Sequence, residues 1–117
     1  MPGGPVILLE PETWVGGRFP LLSHIDVGEA LAQGRWTVVL YRQDCPACRE
    51  TIGRLRQAQG QVALIEMRSA GGPGRGKFAL ELSFTRGVLD PTKDWFVQAP
   101  VVVELDNGVA LAATVGR

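Results

Sequence analysis

Two short apolar runs flank the only two cysteines of the chain. Residues 36–41 (WTVVLY) and 62–67 (VALIEM) are rich in β-branched and other apolar residues, which is typical of strands buried on both faces of a parallel sheet. Between the runs, apolar side chains recur at helical spacing. Pro46 suits the first turn of this helix, and Gly60 suits the position after its end. The pattern therefore predicts a βαβ unit, whose crossover should be right-handed.

Downstream, the arrangement of apolar and polar positions predicts three more elements. Apolar side chains alternate with other residues over 78–84, which favours a strand. An Asp-Pro pair opens the segment 90–96, which predicts a short helix or turn. The apolar segments 101–105 and 109–115 flank the Asn-Gly pair at 107–108, the strongest two-residue signal for a β-hairpin. The second half of the chain is thus expected to end on a hairpin.

The first part of the chain has weaker patterns. Residues 1–19 are punctuated by proline and glycine, and we expect them to form an extended lead-in to a domain that covers residues 20–117. Asp26 and Glu29 have the spacing of a capping box. They predict a short helix that ends at Gly34.

Composition places the chain among globular proteins of one domain. It has 117 residues, of which 45% are hydrophobic and 21% charged. Twelve basic and twelve acidic residues cancel, so we expect no binding of nucleic acid or of anionic lipid. No apolar stretch approaches the roughly 20 residues of a membrane-spanning helix, and the first residues lack the pattern of a secretion signal. We expect a cytoplasmic protein if the chain is full length, and an extracytoplasmic one if it is a domain of a longer exported protein.

Cys45 and Cys48 lie where the first predicted strand passes into its helix. A spacing of two residues within one helical turn brings two sulfurs close enough to form a disulfide. At a helix N-terminus, unpaired N–H groups and the positive end of the helix dipole stabilise a thiolate, which lowers the pKa of the Cys45 thiol. Cys48 lies one turn further on, on the apolar face. These positions predict that Cys45 is the attacking thiol and Cys48 the resolving thiol.

These motifs resemble those of the thioredoxin-like superfamily, and within it the redoxin-type bacterial domains with a Cys-Pro-Ala-Cys motif. The resemblance includes the strand before the motif, the returning strand after its helix, and Ala99-Pro100 immediately before the hairpin. It implies an α/β, three-layer fold with a central mixed sheet, in which the βαβ unit is followed by the hairpin and the usual terminal helix is missing. It also implies that the Ala99–Pro100 peptide bond is cis and lies against the cysteine pair.

The function that this resemblance implies is thiol–disulfide exchange with protein thiols and disulfides. The sulfurs carry the electrons, so no bound cofactor and no metal are expected, and an electron donor or acceptor is supplied by another molecule. The expected substrate-binding residues are Asp44, Pro46, Ala99 and Pro100. Asp44 stands where thioredoxins carry a tryptophan, and its carboxylate should raise the pKa of the Cys45 thiol modestly.

Other interpretations compete with this one. The pair is also compatible with a thioredoxin-like interaction module that keeps a structural disulfide without catalysis. A zinc site needs four ligands, and His24 is the only other soft ligand of the chain. The glycine-rich segment 71–77 has the spacing of a phosphate-binding loop, but Phe78 follows where serine or threonine is required. Trp95 and Phe96 are compatible with an apolar lip beside the site and equally with core packing.

Overall fold

The computed structural model describes residues 6–42, 45–55, 60–67, 84–90 and 93–115. These residues form a mixed α/β fold around one five-stranded sheet. The elements in chain order are β1 (Val6–Leu8), two 3₁₀ turns (Pro11–Thr13 and Leu22–His24), α1 (Gly28–Leu31), β2 (Arg35–Tyr41), α2 (Pro46–Leu55), β3 (Gln61–Glu66), β4 (Thr85–Val88), β5 (Asp94–Phe96), β6 (Val101–Asp106) and β7 (Val109–Val115).

The main sheet has the strand order β4-β3-β2-β6-β7. Strands β4, β3 and β2 run parallel to one another, whereas β6 is antiparallel to β2 and β7 is antiparallel to β6. The predicted βαβ unit is confirmed, because β2 and β3 pair in parallel on either side of α2. The predicted hairpin is confirmed as well. Asn107 and Gly108 have φ values of 51° and 85°, as a type I′ turn requires.

The sheet separates two apolar clusters, because successive side chains of a strand point to opposite faces. On one face, Val38 and Leu40 belong to a large cluster that also contains side chains of α1 and of the first part of the chain. We call it the main core. On the other face, α2 packs against β2 and β3. The buried members of this second cluster, the helix-side core, are Val39, Tyr41, Cys48, Ile52, Val62 and Leu64.

The segment predicted as an extended lead-in contributes a strand and several buried side chains to the fold. Strand β1 pairs in parallel with β5 as a separate two-stranded sheet. Trp14 and Phe19 are buried in the main core, with their ring centroids 5.2 Å apart in an edge-to-face arrangement. Proline and glycine interrupt the periodicity of this segment. No regular pattern in the sequence therefore reveals that its large side chains are buried.

The predicted capping box is wrong. Helix α1 begins at Gly28, and the residue before it makes no side-chain cap. Asp26 instead accepts a hydrogen bond through its Oδ1 from the backbone N–H of Val88, over 2.9 Å. This carboxylate therefore holds β4 beside the segment that precedes α1, a contact between residues far apart in sequence. Gly34 follows the helix with a φ of 82°.

The segments before the hairpin differ in part from their predictions. The strand predicted over 78–84 lies outside the described residues except for Phe84, and the glycine-rich segment 71–77 lies outside them entirely. Strand β4 follows at Thr85–Val88. The helix or turn predicted for 90–96 is wrong at its end, where residues 94–96 form β5. Pairing with β1 overrides the local signal there, and the N–H of Leu9 donates to the carbonyl of Phe96 over 2.8 Å.

Candidate functional site

Cys45 caps helix α2 through both its backbone and its sulfur. Its carbonyl accepts a hydrogen bond from the N–H of Arg49 over 3.2 Å. Its Sγ accepts one from the N–H of Cys48 over 3.0 Å, which is the bond that an N-cap side chain normally makes. Because Cys48 is the third residue of α2, its N–H has no acceptor within the helix and is available to this sulfur. The N-terminus of α2 thus directs a backbone N–H at the atom that would carry the charge of a thiolate.

Cys45 and Cys48 are joined in a disulfide, with their Cα atoms 5.2 Å apart. The two sulfurs have different surroundings. Cys45 is half-buried, whereas Cys48 is fully buried in the helix-side core. An incoming thiol or disulfide therefore has access to Cys45 and not to Cys48.

The start of β6 approaches the disulfide from the side. The Ala99–Pro100 peptide bond is cis, as predicted. The Sγ atom of Cys45 lies 3.8 Å from the carbonyl oxygen of Ala99, and the side chain of Ala99 packs against the helix-side core. Of the predicted site residues, Pro46 is exposed on the first turn of α2 and Pro100 is buried. Asp44 lies outside the described residues.

Arg42, which was not among the predicted site residues, connects this region to β5. Arg42 follows the last residue of β2, and its Nη2 donates a hydrogen bond to the carbonyl of Trp95 over 2.6 Å. Trp95 is buried in the main core, where His24 packs on it edge-to-face at 5.3 Å between ring centroids. Phe96 is 55% exposed. Of the two aromatic residues weighed as a lip, Trp95 therefore contributes to the core and Phe96 to the surface.

A buried acid lies on the same face of the sheet as the disulfide. Glu66 is only 6% exposed, and it follows Val62 and Leu64 on the helix-side face of β3 at the position paired with Tyr41. A buried carboxylate is costly unless other groups stabilise it, so this position is unusual for a residue of this type. The signal in the sequence was a single charged residue within the otherwise apolar run 62–67.

A cleft of about 220 Å³ opens beside Pro100, between α2 and the β6–β7 hairpin; we call it the proline cleft. Its lining residues are Thr51, Arg54, Pro100, Val102 and Thr114. Val102 and Thr114 are partners in the β6–β7 pairing. None of these positions except Pro100 was predicted as a site residue, because only the tertiary structure brings the helix and the hairpin together.

Within the described residues, no group of three or more His, Cys, Asp and Glu side chains is arranged to hold a metal ion. No helix in the same parts of the chain is both long enough and apolar enough to cross a membrane. Comparisons of the chain with models of protein families, with curated proteins and with solved structures found no match.

Proposed function

We propose that this protein is a thiol–disulfide oxidoreductase that exchanges disulfides with other proteins through Cys45 and Cys48. The observation that carries the proposal is the difference between the two sulfurs. Cys45 is accessible and receives a hydrogen bond from the N-terminus of α2, whereas Cys48 is enclosed in the helix-side core. A thiolate is therefore stabilised at Cys45, whereas the Cys48 sulfur can be reached only by the neighbouring Cys45 sulfur.

The reaction proceeds in two exchanges. In the reduced protein, the Cys45 thiolate attacks one sulfur of the substrate disulfide; a new S–S bond forms, and the other substrate sulfur leaves as a thiolate that takes a proton from water. Cys48 then loses its proton to water, and its sulfur attacks the Sγ atom of Cys45. The second substrate sulfur leaves as a thiolate, and the Cys45–Cys48 disulfide remains. In this direction two electrons pass from the cysteine pair to the substrate, and an external dithiol restores them; the same two exchanges in reverse oxidise a substrate dithiol.

The polypeptide backbone beside the disulfide is the proposed docking site. The carbonyl of Ala99 lies 3.8 Å from the Cys45 sulfur, so an extended substrate that pairs with the backbone there would bring its own disulfide to Cys45. A thioredoxin-like arrangement is part of the same proposal. It is supported by the five-stranded mixed sheet and by α2 between two parallel strands.

The test is to trap the intermediate with a matched pair of variants. Cys48→Ser removes the resolving thiol, so we expect the reduced variant to attack the disulfides of native insulin and to accumulate a mixed disulfide with it, which dithiothreitol releases. Cys45→Ser should form at least tenfold less adduct, because its remaining thiol is buried. In the reduced wild type, alkylation at pH 6 should label Cys45 before Cys48. Faster labelling of Cys48, or adducts on Cys45→Ser alone, would contradict the assignment.

The second candidate is an interaction module whose disulfide is purely structural. Full burial of Cys48 favours it, because a buried disulfide sulfur resists exchange. The two candidates differ in the rate at which glutathione reduces the wild-type disulfide. Rapid reduction and catalysis of insulin reduction are expected for the oxidoreductase. A disulfide that persists in millimolar glutathione, without insulin reduction, would establish the module instead.

A further inference from the structure

The proline cleft has the shape of a subsite for one side chain. Pro100 and Thr51 are buried and Val102 is half-buried, so they form its floor, while Arg54 and Thr114 are exposed at its rim. Its volume of about 220 Å³ is below the roughly 300–1,000 Å³ of pockets for whole small molecules. It is sufficient for a single amino-acid side chain.

The cleft lies within reach of a polypeptide that reacts at Cys45. Pro100 lines the cleft and directly follows Ala99, whose carbonyl approaches the Cys45 sulfur. At a helical rise of about 1.5 Å per residue, Thr51 lies about 9 Å along α2 from Cys45, and Arg54 about 13.5 Å. An extended peptide covers about 3.3 Å per residue. A side chain three or four positions from the attacked cysteine therefore reaches the cleft.

The charge of the cleft indicates which side chain it accepts. Arg54 is the one charged residue among its described lining residues. The Arg54 Nη2 makes a long hydrogen bond of 3.4 Å to the Oγ1 atom of Thr51, so the guanidinium lies beside the floor of the cleft while its other donors can bind a ligand. The nearest acid along β6 is Glu104, two positions beyond Val102. It accepts a hydrogen bond from Thr37 over 3.0 Å and does not line the cleft. A carboxylate is the group that a guanidinium binds best, through two parallel hydrogen bonds.

We propose that the proline cleft binds an acidic side chain of the substrate polypeptide, three or four residues from the cysteine that Cys45 attacks. The proposal rests on the proposed function and adds a substrate class to it, namely proteins with Asp or Glu near the reacting cysteine. Arg54 is the specificity-determining residue. Thr51 positions its guanidinium, and Val102 and Pro100 contact the aliphatic part of the bound side chain.

The experiment uses capped peptides that carry one cysteine as a 2-pyridyl disulfide. The peptides are made in pairs that differ only in one residue, which is Glu in one peptide and Gln in the other. This residue stands three or four positions before or after the cysteine, and the peptides have no other charge. They react with the Cys48→Ser protein, whose Cys45 thiolate attacks the peptide sulfur and releases pyridine-2-thione, so that release measures one exchange. The measured quantity is the ratio of the Glu to the Gln rate constant. A change in the reactivity of Cys45 itself cancels in this ratio.

We expect the Glu peptide to react about two- to fivefold faster at one of these positions, as one exposed ion pair permits. The preference should disappear in Arg54→Gln, persist in part in Arg54→Lys, and shrink in 0.5 M salt. Arg49→Gln, on the exposed surface of the same helix, is the matched control and should keep the preference. Loss of the preference in both variants would indicate a general field of α2 instead of a subsite, and would overturn the proposal.

The two levels of the proposal fail differently. A ratio near one at every position, or an unchanged ratio in Arg54→Gln, would overturn the subsite and leave the oxidoreductase in place. If the Gln peptide reacts no faster with the protein than with free cysteine at the same pH, the proposed function itself is wrong. The subsite would then be overturned with it.

Discussion

The two faces of the five-stranded sheet are built differently. The main core draws its residues from nearly every described part of the chain, beginning with Leu9 and ending with Ala110. The buried residues of the helix-side core all come from β2, α2 and β3, between Val39 and Leu64. The first cluster therefore depends on contacts between distant segments, and the second is almost entirely the product of one βαβ unit. The disulfide thus lies on the face that has the smaller and more local cluster.

Strands β2 and β3 both contribute buried side chains to the two clusters, and β2 shows the alternation most clearly. Val38 and Leu40 enter the main core, while Val39 and Tyr41 contact the cluster around Cys48. Every one of these four residues is buried. Substitutions at residues that contact only one cluster should therefore separate an effect on overall stability from an effect on access to the cysteines.

The largest effect is expected for Phe19→Ala. Phe19 is only 1% exposed in the main core, and removing a buried phenyl ring costs about 3–5 kcal/mol. The free energy of unfolding, measured in urea, should fall by this amount. In the fraction that stays folded, the rate of Cys45 alkylation after reduction should be unchanged.

The control for Phe19→Ala is Glu12→Ala, on the exposed side of the same segment, which should leave the unfolding curve in place. A loss of less than about 1 kcal/mol in Phe19→Ala would be too small for a buried ring. It would mean that the first part of the chain is not held in the main core in solution.

A smaller but more informative effect is expected for Ile52→Ala. Ile52 belongs to the helix-side core beside Cys48, and the loss should be near 2 kcal/mol, the low end for such truncations, because the cluster is small. The cavity should also open access to Cys48, so its alkylation in the reduced protein should accelerate. Glu50→Ala, exposed on the same helix, should change neither quantity. If Phe19→Ala accelerates Cys48 alkylation as much as Ile52→Ala does, the separation of the two faces does not hold.

The smallest effect is expected in the hairpin turn. The side-chain oxygen of Asn107 accepts a hydrogen bond from the N–H of Gly34 over 2.8 Å, and its own N–H donates to the carbonyl of Gly34 over 2.9 Å. Asn107→Ala loses the first bond and places alanine at a φ of 51°, so it should cost about 1–2 kcal/mol. Asn107→Gly keeps the backbone conformation and should lose less. Equal losses would show that backbone strain is negligible at this turn.

The sequence predicted what local signals encode. Continuous apolar runs identified β2 and β3, because a strand buried on both faces needs apolar residues at successive positions. The Asn-Gly pair identified the hairpin, because these residues tolerate the positive φ values of its turn. The cysteine spacing likewise predicted their disulfide. Strands β1 and β5 have three residues each and exist through their pairing with each other, which no local pattern can report.

The rest of the candidate site depends on tertiary contacts in the same way. Arg42 looks like any polar residue after a strand until its bond to the Trp95 carbonyl is known. Arg54 looks like a solvated residue of an amphipathic helix until the hairpin is placed beside it. The approach of Ala99 to Cys45 was predicted from the resemblance to thioredoxin-like proteins rather than from any periodicity of the chain.

The β1–β5 pairing determines how short a working fragment can be. Strand β5 ends four residues before Pro100, and its Trp95 carbonyl accepts the bond from Arg42. A fragment trimmed to residue 20 would keep both cysteines yet lose β1, together with Trp14 and Phe19. In such a fragment, we expect the segment that leads to Ala99 to become the first site of cleavage in limited proteolysis. The smallest protease-resistant unit should therefore begin before β1, well upstream of the cysteine motif.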